Sequence, residues 1–178
     1  YVYSGLQLVG VPSATLFSDD WDERKRFGIL INETRSTTRQ NRVDAMRQYV
    51  MPCKPDWIAG KWTDASQRKL GVVIQTIPWH TVYDVLRTVR ATFTTPASGT
   101  GWATAKPWEC FAAGVVCFFH PGYDTQDHIL GRPGFEVLRE WLRIDTPEQL
   151  HKRVDAVDSS RDTFQWLVRE QRRLFDAA

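Results

Sequence analysis

Sulfur and long apolar runs are scarce in this chain. Its 178 residues include three cysteines and two methionines. Cys53, Cys110 and Cys117 show no metal-ligand spacing, and the last two sit in apolar runs, where a reduced thiol behaves as a small hydrophobe. A cysteine-rich metal site or disulfide scaffold is therefore excluded, and a reducing, intracellular setting is expected. No apolar stretch approaches the ~20 residues of a membrane-spanning helix, and no charged-then-apolar leader opens the chain. The expectation is a soluble, cytoplasmic protein without a membrane span. No G-x-G-x-x-G follows the first apolar run, which argues against a dinucleotide-dependent dehydrogenase.

What is present suffices for a core: 42% of residues are hydrophobic, and the length suits one domain of usual size, with room for an appendage. Net charge is only +2, yet the 23 basic residues divide into 17 Arg and 6 Lys. Arginine binds phosphate bidentately, so a phosphate-bearing partner is one reading, and a GC-rich genome is the other. Composition does not separate them. The chain begins at Tyr1 rather than Met, and its first 26 residues do not form a complete unit, so it reads as a fragment.

Strand-like and helix-like segments alternate. Phe27 to Asn32 (FGILIN) is a short apolar run that predicts a strand buried on both faces, and Asn41 to Val50 puts Val43, Met46, Tyr49 and Val50 at helical spacing. Asp56 to Gly60 predicts a second strand and Leu70 to Gln75 (LGVVIQ) a third. Pro78 opens a helix carrying Val82, Val85, Leu86 and Val89, and Ala91 to Thr95 is a fourth strand, ended by Pro96. A helix from about Lys106 to Ala113, a turn at Gly114 and a strand over Val115 to Phe119 come next. Gly134 to Trp141 reads as a helix and Leu142 to Ile144 as a short strand. Thr146 is placed as an N-cap, with Pro147 at the first helical position and Glu148 beside it, for a helix to about Val157. Asp158 or Ser159 starts the last helix, whose apolar face carries Phe164, Leu167, Val168, Gln171 and Leu174.

This alternation implies an α/β, Rossmann-like domain: a mostly parallel sheet with helices on both faces. Ligands of such sheets bind at the carboxyl ends of the strands, near a topological switch point. Arg35 and Arg39 follow the first predicted strand, Lys61 the second, Thr76 to Trp79 the third, and Ser98 to Lys106 the fourth. The last of these loops combines Gly99, Gly101 and several hydroxyls with a helix start, which suits a phosphate ester. Glu109 lies one turn into that helix, between Trp108 and Cys110, where a carboxylate can accept hydrogen bonds from sugar hydroxyls.

Plainer readings exist for each. Arg35, Arg39 and Lys61 also fit solvated charges, and Glu109 fits a helix N-terminal residue favoured by the macrodipole. Asp124, Asp127 and His128 read as surface polar residues rather than a metal site, and His80 and His120 as structural or surface residues. The 8 Trp permit base stacking at Trp79, Trp102 or Trp108, although core packing is the commoner use.

The order of segments and the stretch ATFTTPASGTGWATAKPWECFAAGVVCF (91–118) resemble the C-terminal, donor-binding half of a GT-B glycosyltransferase. In that class a strand ends near Pro-Ser, a Gly-rich turn follows, and the next helix carries Glu, small or apolar residues and Gly, as in ECFAAG at Glu109 to Gly114. The resemblance implies that Glu109 binds the ribose hydroxyls of a nucleoside diphosphate sugar. By the same likeness Thr76, Ile77 and Pro78 lie where a loop meets the base through its backbone, and ILINETRSTTR (29–39) matches the first strand and its diphosphate-binding loop. Arg35, and less directly Lys61, then take the diphosphate. Lys106 and the amides around Thr100 to Thr104 complete the donor-binding set. No cofactor and no metal is implied. Many retaining members carry an acidic residue eight positions before the ribose-binding Glu; that position here is Gly101, so the sugar-contacting carboxylate is absent.

The resemblance covers roughly residues 27–157, the donor-binding domain. Residues 1–26 look like the end of an N-terminal domain and a linker, and 158–178 like a C-terminal helix packing back toward that domain. Such a domain would hold most of the acceptor site and any catalytic base. Phage enzymes that glycosylate hydroxymethylated bases in DNA look similar around KPWE and around Tyr123 and Asp124. The implied function is transfer of a sugar from a nucleoside diphosphate sugar to an acceptor hydroxyl, with such a DNA base among the acceptors and the host cytoplasm as the setting for a phage-encoded enzyme. The alternative is a non-catalytic nucleotide or nucleic-acid binding module with a Rossmann-like fold.

Overall fold

A computed structural model describes residues 17–33, 39–95 and 106–178. β1 (Lys25–Leu30), β2 (Trp57–Ala59), β3 (Val89–Thr94) and β4 (Val116–Phe119) form one parallel sheet in the order β2-β1-β3-β4. Phe27, Ile29, Ala91 and every residue of β4 are fully buried, because a parallel sheet covered on both faces leaves neither side of a strand to solvent. Gly28 permits one close approach: a Cβ there would lie 2.5 Å from the Trp57 ring, so its absence lets the indole lie across the sheet.

The helices are α1 (Arg39–Ala45), α2 (Asp64–Leu70), α3 (Val82–Leu86), α4 (Lys106–Ala113), α5 (Glu136–Leu142), α6 (Pro147–Ser159) and α7 (Arg161–Asp176). From β1 the chain steps through α1 to β2 on one side, and from β3 it steps through α4 to β4 on the other. Right-handed crossovers therefore put α1 and α4 on opposite faces. α6 packs on β1, β3 and the π-helical (Met46–Val50) and 3-10 (Met51–Cys53) turns that follow α1, while α7 packs on α4 and β4. The predicted faces hold: Val43, Met46, Tyr49 and Val50 are buried, as are Phe164, Leu167, Val168, Gln171 and Leu174. Thr146 caps α6 by accepting from the Gln149 N–H, and α7 starts at Arg161, two or three residues later than the predicted Asp158 or Ser159, capped by Ser160.

Three expectations are corrected. Leu70 to Gln75 is not a strand. Thr63 caps α2 through its hydroxyl, Leu70 is that helix's last residue, and Gly71 closes it at φ +68°. Val73 is then 89% exposed, and only Gln75 bridges to β2, at Ala59. The helix after Pro78 breaks into a 3-10 turn (Trp79–Thr81) and α3, and Val89 belongs to β3. Leu142 to Ile144 shrinks to a single bridge, Arg143 to Phe119.

The segment before β1 is fastened to the core. Arg24 is buried and donates to the carbonyls of Val89, Gly114 and Ser18 at 3.2, 2.7 and 2.8 Å. Gly114 sits at φ +71°, and a Cβ on it would come within 2.0 Å of the Ser18 carbonyl oxygen. Asp19 pairs with Arg169 at 2.6 Å, and Arg90 stacks on Trp21 at 3.9 Å.

Candidate functional site

The switch point of this sheet lies between β1 and β3, whose following connections leave in opposite directions. The strand ends there are joined by side chains. Asn32 Oδ1 accepts from the Lys61 N–H at 2.8 Å, linking the exits of β1 and β2. Glu33 accepts from the Thr63 N–H and the Ser66 hydroxyl, both at 2.5 Å. Arg42, reaching in from α1, donates through Nε to Thr95 Oγ1 at 3.1 Å and through Nη1 to the Asn32 carbonyl. It thus spans the exits of β1 and β3. Burial brings its pKa down to about 10, so the guanidinium keeps its charge at neutral pH.

On the β3 side, α4 begins with Lys106 and carries Glu109 in its first turn. Lys106 Nζ pairs with Glu109 Oε2, and each side chain remains about a quarter exposed, at 24% and 25%. The carboxylate is therefore both anchored and reachable. α3 packs against α4. Burial raises the Tyr83 pKa, and the neighbouring Glu109 carboxylate pushes it the same way. The stretch leading to α3 exposes Thr76 and Pro78 and turns Ile77 partly into the core.

Of the predicted site residues, Lys106 and Glu109 come together, and the turn from Thr76 and Ile77 leads into α3 beside them. Lys61 is exposed beyond β2, at the other side of the switch point; β2 and β3 are two strand spacings apart, roughly 10 Å. Arg35 and Thr104 lie outside the described residues, as do Gly99, Gly101 and Trp102. Trp108 meets Phe111 edge to face at 5.6 Å and Phe175 at 6.1 Å, tying α4 to α7.

Asp124 is not the surface residue the sequence suggested. It is fully buried, and its carboxylate accepts from the Ile129 and Leu130 N–H groups at 3.0 and 2.9 Å, while Asp127 pairs with Arg143 at 2.6 Å. Burial raises the Asp124 pKa against those donors. Among the described residues no three His, Cys, Asp or Glu side chains gather as a metal site. His120 is a packing residue: it lies 4.9 Å from the Tyr49 ring, its Nδ1 accepts from the Gly122 N–H at 2.9 Å, and burial lowers its pKa to about 4.

Sequence reasoning missed Arg42, although a signal was there. Arg42, Met46 and Tyr49 recur at one face of a helical pattern, so the arginine interrupts an apolar stripe. A shallow cleft of about 360 Å³, lined by Asp20, Arg24, Asp84 and Arg87 among others, opens at the opposite, amino-terminal end of β1 and β3. Strand-end chemistry in parallel sheets belongs to the carboxyl side.

No protein-family model matches the chain, and no curated protein matches it. Solved structures do. T4 phage β-glucosyltransferase in complex with UDP and Mn2+ superposes with a TM-score of 0.71 at 14% identity, over 89% of this chain and 45% of that one. The same phage enzyme with its UDP-glucose substrate gives 0.69 at 13% identity, over 89% and 46%. A DNA-modifying β-glucosyltransferase, solved with and without uridine diphosphoglucose, gives 0.70 at 14%, over 89% and 48%. The chain spans a little under half the length of each, and at this identity what is shared is architecture: the chain has the Rossmann-like α/β fold found within the GT-B glycosyltransferase of phage T4.

Proposed function

We propose that this chain is the donor-binding part of a glycosyltransferase that moves a sugar from a uridine diphosphate sugar to an acceptor hydroxyl, with a hydroxymethylated base in DNA as the acceptor. One observation carries the reading. The anchored, solvent-reachable Lys106–Glu109 pair stands at the start of the helix after β3, beside the switch point, in a fold whose similar structures hold UDP or UDP-glucose. Glu109 would accept hydrogen bonds from the ribose hydroxyls, and Lys106 would turn to the diphosphate. Thr76 and Ile77, on the turn before α3, would meet the base. Arg35, Lys61 and Thr104 complete the proposed set.

In the reaction the acceptor oxygen forms a bond to the anomeric carbon while the bond from that carbon to the β-phosphate oxygen breaks. The electron pair leaves with UDP, whose diphosphate gains negative charge. Lys106, Arg35 and the amides at the start of α4 would stabilise that charge, a contribution of several kcal/mol when preorganised, roughly. With the charge taken by these side chains, donor binding would not require a metal. The base that takes the acceptor proton would belong to a separate domain that holds the acceptor.

The test is a thermal-shift screen against uridine, guanosine, adenosine and cytidine diphosphates, their sugar conjugates and a short DNA duplex. A shift with UDP and UDP-glucose supports donor binding. A salt-sensitive shift with DNA alone would instead indicate a nucleic-acid binding module, because counterion release makes such binding fall steeply with salt.

A further inference from the structure

We infer that Arg42 is a positioning residue for a diphosphate group, holding the exits of β1 and β3 at the separation a bound diphosphate requires; this rests on the nucleotide-sugar reading only for the identity of the nucleoside. Its side chain is buried, on a helix that otherwise turns apolar residues inward. Nε donates to Thr95 Oγ1 just beyond β3, and Nη1 to the Asn32 carbonyl just beyond β1. Asn32 in turn receives the Lys61 N–H beyond β2. The guanidinium thereby ties the exits of β1 and β3, and the Asn32 side chain adds the exit of β2, at the one place in the sheet where neighbouring connections part.

Arginine is suited to this task and lysine is not. Its donors project from a rigid fork, so one side chain can hold two acceptors on different strands at a fixed spacing, whereas an ammonium is a point charge on a flexible stem. Burial also strengthens the field that the guanidinium casts over the crevice, because the charge is little screened by water. Ground-state packing alone would be met more cheaply by an apolar residue at this helical position, since an ionised group is costly to bury.

The experiment is calorimetric titration of wild type, Arg42→Lys and Arg42→Met with UDP, inorganic pyrophosphate and uridine, alongside each protein's thermal midpoint. Arg42→Met is expected to weaken UDP and pyrophosphate at least tenfold and Arg42→Lys at least fivefold, with uridine affinity changed by less than twofold. Lysine matching wild type would overturn the tie and leave only charge; UDP and uridine weakening equally would overturn the diphosphate role and leave only packing. If Arg42→Met does not fold, Arg42→Lys carries the same comparison. Wild type binding pyrophosphate but not UDP, with the loss in the variants, supports Arg42's role and removes the nucleotide reading. UDP binding unchanged in the variants overturns Arg42's role alone, and wild type binding neither ligand overturns both.

Discussion

Lys106 and Glu109 pair within the first turn of α4, with a quarter of each side chain left to solvent. A pair of this kind contributes little to stability, on the order of 0–1 kcal/mol, so its placement matters more than its strength. It presents a cation and an acceptor side by side at a helix start. Lys106→Met is expected to weaken UDP by roughly tenfold, about 1.4 kcal/mol, and to reduce the salt dependence of UDP binding, while uridine binds as before. Titrations at two salt concentrations check this; equal losses for UDP and uridine would remove Lys106 from the diphosphate site.

Gln171 completes the edge of the sheet. Its Oε1 accepts from the Cys117 N–H at 2.9 Å and its Nε2 donates to the Val115 carbonyl at 3.0 Å, so one buried amide serves as a short stretch of strand beside β4. Gln171→Leu would leave both backbone groups buried without partners. The expected cost is about 2–4 kcal/mol, read as a lower urea midpoint with an unchanged slope. A variant within 0.5 kcal/mol of wild type, roughly the scatter of harmless surface changes, would show that these groups find other partners.

Gly114 joins α4 to β4 at φ +71°, with the Ser18 carbonyl where a side chain would begin. Gly114→Ala forces both a strained backbone and a displaced Ser18, and Arg24 loses the carbonyl geometry it now uses. Destabilisation above about 2 kcal/mol is expected, with faster amide exchange at residues 17–24. Slow exchange there in the variant would contradict the clamp.

Burial holds the His120 imidazole near a pKa of about 4, below the roughly 6.5 of an unfolded histidine. Between those values the unfolded chain binds a proton that the folded chain refuses. The stability due to the neutral ring is therefore fully present above about pH 6.5 and is lost as pH falls toward 4. His120→Asn keeps an acceptor for the Gly122 N–H but does not titrate. Wild type is expected to lose about 1–2 kcal/mol more than this variant between pH 7 and 5 in urea denaturation. Parallel pH profiles would place the acid sensitivity elsewhere.

The helix at Lys106–Ala113 and the strand after it were legible because their signals are local: a proline in the first turn, an unbroken apolar run and a glycine between them. The Rossmann-like fold followed from the alternation of such segments. The LGVVIQ stretch misled because its apolar residues straddle a helix end, and the Gly71 turn outweighs the strand preference of two valines. Arg42 was missed and Asp124 misread for a different reason. Arg42 finds Thr95 53 positions away, and Asp124 is buried by a turn that wraps its own carboxylate, so neither charge reads as interior before the chain is folded. Glu109 could be singled out early because a carboxylate beside an apolar run needs a reason to be there.

Glu109 is proposed to bind the ribose of a uridine diphosphate sugar, and calorimetric titration of UDP-glucose into wild type and Glu109→Ala is the decisive test. Hydrogen bonds to a charged acceptor contribute about 1.5–3 kcal/mol, so the variant is predicted to bind roughly 10- to 150-fold more weakly at an unchanged thermal midpoint. Equal affinity in the two folded proteins would contradict the account.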